Sequence, residues 1–152
     1  MSYIIYTHDD FIRDIECLVN KLKDSKFKPD IIVGLVRGGA IPAVYLSHRL
    51  NAECLLINWQ TRDGRIKDKG ALDRVAVRAE SGTKVLVVDD IVDSGATMKE
   101  VKDRTIWGTG DNMKFASLWY NPNQTTSVHY TTNIIDRSVD TRWVRFPWET
   151  LI

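Results

Sequence analysis

Residues 85–97, VLVVDDIVDSGAT, carry an aliphatic run straight into Asp89 and Asp90, then Asp93, a Ser-Gly turn and Thr97. An unbroken β-branched run suits a strand buried on both faces, and small polar residues after it suit the start of a helix. Such a strand belongs to an open parallel sheet, where ligands bind beyond the carboxyl ends of the strands. The acids stand where that chemistry takes place. Backbone N–H groups of the DSGAT turn, with the hydroxyls of Ser94 and Thr97, can surround an anion at the positive end of the helix, and Gly95 lets the backbone come close. Carboxylates beside an anion loop repel a bare phosphate but suit a sugar phosphate, because they accept hydrogen bonds from its hydroxyls or engage a metal ion bound to them. Taken alone, DSGAT reads equally well as a plain helix cap.

Working outward, the same alternation recurs along the chain. DIIVGLV, ECLLINW, KVLVVDD and KFASLWY read as strands. Residues 7–22, with Phe11, Ile12, Ile15, Leu18, Val19 and Leu22 at helical spacing, read as an amphipathic helix started by a Thr7 and Asp10 capping box. AIPAVYLSHRL, with Pro42 in its first turn, and ATMKEVKDRTI read as two more helices. Strands alternating with helices predict an α/β fold around a parallel sheet. The charged stretch between Gln60 and Ala79 has two glycines and weak early periodicity, and we read residues 60–79 as a mobile excursion. No repeat or linker divides the chain, so one domain over residues 1–152 is expected.

Composition narrows the partners. The 152 residues carry 21 Lys and Arg against 20 Asp and Glu, a formal net charge of +1, which gives no global field for nucleic acid or a membrane surface. Cys17 and Cys54 have no metal-ligand spacing and read as free thiols in a reducing compartment. The first residues reach acids too soon for a signal peptide, and no apolar run has membrane-spanning length. A cytoplasmic location without membrane contact is the expectation.

As a whole string, the strand, paired acids and Ser-Gly-Ala-Thr turn resemble the sugar-phosphate signature of the type I phosphoribosyltransferases. Neither a Walker A pattern nor a full dinucleotide fingerprint competes with it. Residues 31–51, a strand followed by Arg37-Gly38-Gly39 and a helix, resemble that family's pyrophosphate-binding segment. RWVRFPWE, residues 142–149, resembles the base-contact segment of bacterial xanthine-guanine and hypoxanthine members. The resemblance implies a mostly parallel sheet flanked by helices, a small hood built from the chain ends, and a flexible catalytic loop. It implies transfer of ribose 5-phosphate from phosphoribosyl pyrophosphate to a purine base, 6-oxopurine favoured, as in purine salvage, with Mg²⁺ and in a dimer or tetramer.

The same resemblance assigns roles. Asp93, Ser94, Gly95, Ala96 and Thr97 would hold the 5-phosphate, with Asp93 also taking the base proton. Asp89 and Asp90 would contact the ribose, with Asp89 a candidate Mg²⁺ ligand. Arg37 and Gly38 would hold pyrophosphate, across a cis peptide between Val36 and Arg37. Trp143 would lie on the base and Val144 would meet its edge. Asn121 stands where the family has a lysine facing the 6-position, and its amide can donate or accept, so adenine stays open as a substrate. A second class also stays open, a phosphoribosyl-pyrophosphate-binding regulator of RNA, which would need Arg62, Arg65, Lys67, Lys69, Arg74 and Arg78 to gather into a basic face. Their interleaving with Asp63, Asp68 and Asp73 argues instead for a solvated lid.

Overall fold

The computed structural model describes residues 2–59 and 67–149. Within them, β1 (Tyr3–Ile5), α1 (His8–Asp24), β2 (Ile31–Val36), α2 (Ala40–Leu50), β3 (Glu53–Asn58), α3 (Lys69–Glu80), β4 (Val85–Val92), α4 (Ala96–Thr105), β5 (Met113–Tyr120), β6 (Tyr130–Ile134) and β7 (Trp143–Arg145) follow in order. The central sheet has the order β3-β2-β4-β5-β6, and every pairing in it is parallel.

Successive residues of a strand face opposite sides, and the two cores divide on that rule. Ile32, Leu86, Val88, Ala116 and Leu118 pack with α1 and α2 on one face. Ile31, Val33, Val85, Val87 and Phe115 pack with α3 and α4 on the other. Both faces are covered, which is why β2 and β4 read as continuous apolar runs.

Helix α1 starts at the expected capping box: the Thr7 hydroxyl accepts from Asp10 N at 3.1 Å and the Asp10 carboxylate accepts from Thr7 N at 3.0 Å. Helix α3 corrects the reading of residues 60–79 as one excursion. Its Leu72, Val75 and Ala79 are buried against the sheet at helical spacing, which the charged neighbours Asp73, Arg74 and Arg78 disguise in the sequence. The first part of that stretch, residues 60–66, lies outside the described residues. Strand β4 also runs further than read, past the acids that close KVLVVDD, to include Ile91 and Val92.

The chain ends meet as expected. β1 and β7 pair in parallel, Tyr6 N donates to Arg145 O at 3.0 Å, and the pair forms a small second sheet over the first. Tyr6 fixes it in place: its ring meets Trp119 and Phe146 edge-on, and its hydroxyl donates to the buried Asp14 of α1 at 2.7 Å.

The topology also decides where a ligand can go. After β2 the chain turns outward through α2 to β3, and after β3 it crosses to β4 on the opposite face. The loops that follow β2 and β4 therefore diverge, leaving a crevice between them at the carboxyl end of the sheet.

Candidate functional site

That crevice is a cavity of about 670 Å³, in the range of small-molecule sites. It is lined by Arg37 and Gly38 after β2, Trp59 after β3, residues 89–98 of β4 and α4, Arg137 after β6, and Trp143, Val144, Phe146, Trp148 and Glu149 of the hood. The residues expected from the sequence thus converge, Asn121 excepted.

The loop after β2 packs closely on β4. The Val36–Arg37 peptide is cis, as expected. A Cβ on Gly38 would stand 2.2 Å from Asp90 Oδ2, and one on Gly39 would stand 2.2 Å from Val88 O. Only glycine brings this backbone against the acids.

On the other side of the crevice, Gly95 turns the chain into α4 with φ +83°, a left-handed conformation that costs glycine little. The Ser94 hydroxyl accepts from Ala96 N at 3.3 Å, and Thr126 Oγ1 donates to Gly95 O at 3.3 Å. The leading N–H groups of α4 have no carbonyl one turn back within the helix, so the turn offers donors and a positive helix end to an anion.

Between the two turns sit Asp89 and Asp90. Burial, then the charge of Asp90, raises the Asp89 carboxyl well above the usual carboxylate range. Burial also pushes Asp90 up to about 6, opposed by its hydrogen bond from Ile91 N and reinforced by the charge of Glu149. Two adjacent half-buried carboxylates repel one another, so the pair is suited to ligand hydroxyls or a divalent ion. Among the described residues no group of three or more His, Cys, Asp or Glu is placed to hold a metal ion.

The hood supplies the aromatic wall. Trp143 is half exposed, and its indole N–H donates to Glu149 Oε2 at 3.4 Å; Val144 is buried. Phe146 and Trp148 stack with centroids 5.1 Å apart.

Asn121 departs from expectation. Its Nδ2 donates to Asp93 O at 3.0 Å, and its Oδ1 accepts from Asn123 N at 3.0 Å and Arg137 N at 3.4 Å. The side chain is buried, is absent from the cavity wall, and braces the turn that carries Asp93. A base-contacting role for Asn121 is therefore corrected to a scaffolding one, because both polar atoms are committed to backbone.

Arg137 is the residue that sequence reasoning missed. Its Nε and Nη2 fork onto Asp93 Oδ1 and Oδ2, both at 2.9 Å, while Nη1 donates to Arg142 O at 2.5 Å and Asp140 O at 3.3 Å. The guanidinium pKa is raised, chiefly by the Asp93 hydrogen bonds. Nothing in the run DRSVD marks this arginine, since it has neither periodicity nor a motif.

Of the basic stretch, Lys67 pairs with Glu100 at 2.6 Å and Arg78 with Glu53 at 3.1 Å, so these two do not form an open basic face; Arg62 and Arg65 lie outside the described residues. No helix among the described residues is long and apolar enough to cross a membrane.

Two glycine-containing turns around an acid pair, with an aromatic wall, make a cavity that a phosphorylated sugar joined to a flat base can enter. Comparison with known proteins agrees. The chain is 30% identical over 155 residues to a xanthine-guanine phosphoribosyltransferase of Gluconobacter oxydans, covering 99% of this chain and 86% of that one. It is 31% identical over 121 residues to the enzyme of the same name from Idiomarina loihiensis, covering 78% and 70%. The crystal structure of a purine phosphoribosyltransferase from Pyrococcus horikoshii superposes with a TM-score of 0.74 at 28% identity, covering 100% of this chain and 97% of that one. Since the model of the phosphoribosyl transferase domain matches residues 3–151, nearly the full chain, this protein belongs to that family of enzymes.

Proposed function

We infer that the protein transfers ribose 5-phosphate from phosphoribosyl pyrophosphate to a purine base, 6-oxopurine favoured, giving a nucleoside monophosphate and pyrophosphate, a salvage reaction. The observation that carries this reading is the convergence of both anion turns on the Asp89 and Asp90 pair within one cavity. The purine assignment draws on the names of the relatives and on the aromatic wall of the hood.

The 5-phosphate takes the turn Asp93, Ser94, Gly95, Ala96 and Thr97, where N–H groups and hydroxyls meet its charge. Asp89 and Asp90 accept from the ribose hydroxyls, and Arg37 and Gly38 hold the pyrophosphate. Trp143 covers one face of the base while Val144 meets its edge. The bond from C1 of the ribose to pyrophosphate breaks, its electron pair leaving with the pyrophosphate, and the bond to a purine nitrogen forms. The proton displaced from the base passes to Asp93. Holding both partners in line supplies much of the rate. The half-buried acid pair fits Mg²⁺ delivered with the substrate: Asp89 would be its protein contact, and the ion would supply charge neutralisation for the leaving pyrophosphate. The setting is the cytoplasm, where the free thiols Cys17 and Cys54 persist, and the assembly belonging to this reading is a dimer or tetramer.

The test is a competition. Protein, phosphoribosyl pyrophosphate and Mg²⁺ are incubated with equal hypoxanthine, guanine, xanthine and adenine, and the nucleotides are read by mass spectrometry. Release of 6-oxopurine nucleotides is expected. Salt-sensitive, saturable RNA binding without any nucleotide would overturn the enzyme reading in favour of an RNA-binding regulator.

A further inference from the structure

The fork of Arg137 on Asp93 places a cation beside the group that takes the base proton. Its side chain is 19% exposed, and it reaches the cavity from the loop after β6. Four of the five guanidinium N–H groups are used: two on Asp93, one on Arg142 O and one on Asp140 O. The remaining N–H, on Nη2, has no acceptor among the described residues. Arg142 directly precedes Trp143, so the same guanidinium touches the proton acceptor and the backbone that leads into the ring-stacking wall.

We propose that Arg137 selects the base, donating this N–H to an oxygen at the 6-position. This rests on the transferase reading above. Purine N7 and the substituent at C6 share one edge, which carries two acceptors in guanine but an acceptor and an amino donor in adenine. A carboxylate and a guanidinium side by side match the protonated N7 and 6-oxygen of a 6-oxopurine. Each Asp93 oxygen keeps a second lone pair beyond the one that Arg137 occupies, so Asp93 can accept from the base without breaking the fork. Adenine would set its amino group against an N–H of a side chain that has no acceptor, leaving both donors unpaired. With Asn121 committed to the loop, the donor comes from a different element, after β6 instead of after β5.

The experiment compares hypoxanthine with unsubstituted purine, which lacks the oxygen and has an acceptor at N1 where hypoxanthine has N1–H, in wild type, Arg137→Lys and Arg137→Met; the N1 difference is the same in all three proteins, so a change of the ratio between them reads the oxygen. In wild type, kcat/KM should favour hypoxanthine by at least about tenfold, as for a hydrogen bond to a charged group. Arg137→Met should lower that ratio by about tenfold or more with KM for phosphoribosyl pyrophosphate changed less than about twofold, and Arg137→Lys should fall between. A lost brace on Asp93 would slow both bases equally, so only loss of contact with the oxygen moves the ratio. If Arg137→Met turns over neither base, calorimetry of the two ribonucleoside monophosphates gives the same ratio. A wild-type ratio that survives in Arg137→Met overturns the inference alone; absence of nucleotide from wild type with every base overturns the transferase reading.

Discussion

Adding one methyl group to Gly38 or to Gly39 should break the protein in two different ways. At Gly39 the new Cβ would lie 2.2 Å from Val88 O, 2.8 Å from Leu35 N and 2.9 Å from Leu35 O. The worst of these is about 1.2 Å inside the 3.4 Å at which ordinary contact begins, and all three atoms are backbone of β2 and β4. Backbone at the centre of a parallel sheet cannot yield without separating strands. Overpacking of this kind costs about 3 kcal/mol, which for a chain of this size is roughly 6–12 °C in Tm. At Gly38 the clash is with the end of one side chain, the Asp90 carboxylate, at 2.2–2.6 Å. That carboxylate can swing aside at the expense of its own hydrogen bond from Ile91 N, and the fold keeps most of its stability. What is lost is the position of an acid that receives ribose hydroxyls, so the Kd for phosphoribosyl pyrophosphate should rise roughly 10- to 100-fold. Thermal melting by circular dichroism and calorimetric titration with phosphoribosyl pyrophosphate and Mg²⁺ separate the two outcomes. If Gly39→Ala melts with wild type, or Gly38→Ala binds the ligand at full affinity, the packing of the loop after β2 on the acids is not what sets the site.

Three further perturbations probe other parts of the site. Asp93→Asn should lower kcat by about 10²- to 10⁴-fold, the range of a lost acid-base group, with phosphoribosyl pyrophosphate affinity nearly intact, and full turnover in steady-state assays would remove Asp93 from proton transfer. Burial holds the Asp90 carboxyl at about 6, so the folded protein binds this proton more tightly than the unfolded chain; the cost of ionising it is present in full above pH 6 and fades as pH falls towards 4. Asp90→Asn should therefore raise the Tm of the ligand-free protein at pH 7–8, by about 1–2 kcal/mol or several degrees, and not at pH 4, while weakening ligand binding; a lowered Tm at pH 8 would contradict this. Asn121→Lys should destabilise the protein by about 1–3 kcal/mol in urea titrations, because the Asp93 carbonyl loses its partner and an ammonium must enter the buried space of the amide; unchanged stability would mean that the amide is not a brace.

Which of these positions could be read from the sequence follows from how local the determining physics is. The acid pair, the Gly95 turn and the Arg37-Gly38-Gly39 loop are set by neighbours in the chain, so strand, turn and helix signals locate them within a few residues. Helix α3 was hidden because its apolar stripe, Leu72, Val75 and Ala79, is narrow and made partly of alanine, which gives little contrast against charged neighbours. Strand β6 escaped for a related reason: in YTTNI only Tyr130 is fully buried, so no apolar run announces it. Asn121 and Arg137 fail differently. Placing Asn121 in sequence register with a substrate-contacting lysine assumes that the residue after β5 points into the cavity. That assumption holds only if the loop it opens needs no brace. Here residues 121–128 fold back on the anion turn through Asn121, Gln124 and Thr126, and an amide that satisfies two loop partners cannot also face the base. The polar group is then supplied from residue 137, which sits 44 positions from Asp93 in the chain and 2.9 Å from it in the fold. A contact of that range leaves no trace in periodicity, composition or spacing, and a substitution at one of the two positions is best interpreted with the other in view: Asn121 can serve the scaffold because Arg137 stands at the cavity wall.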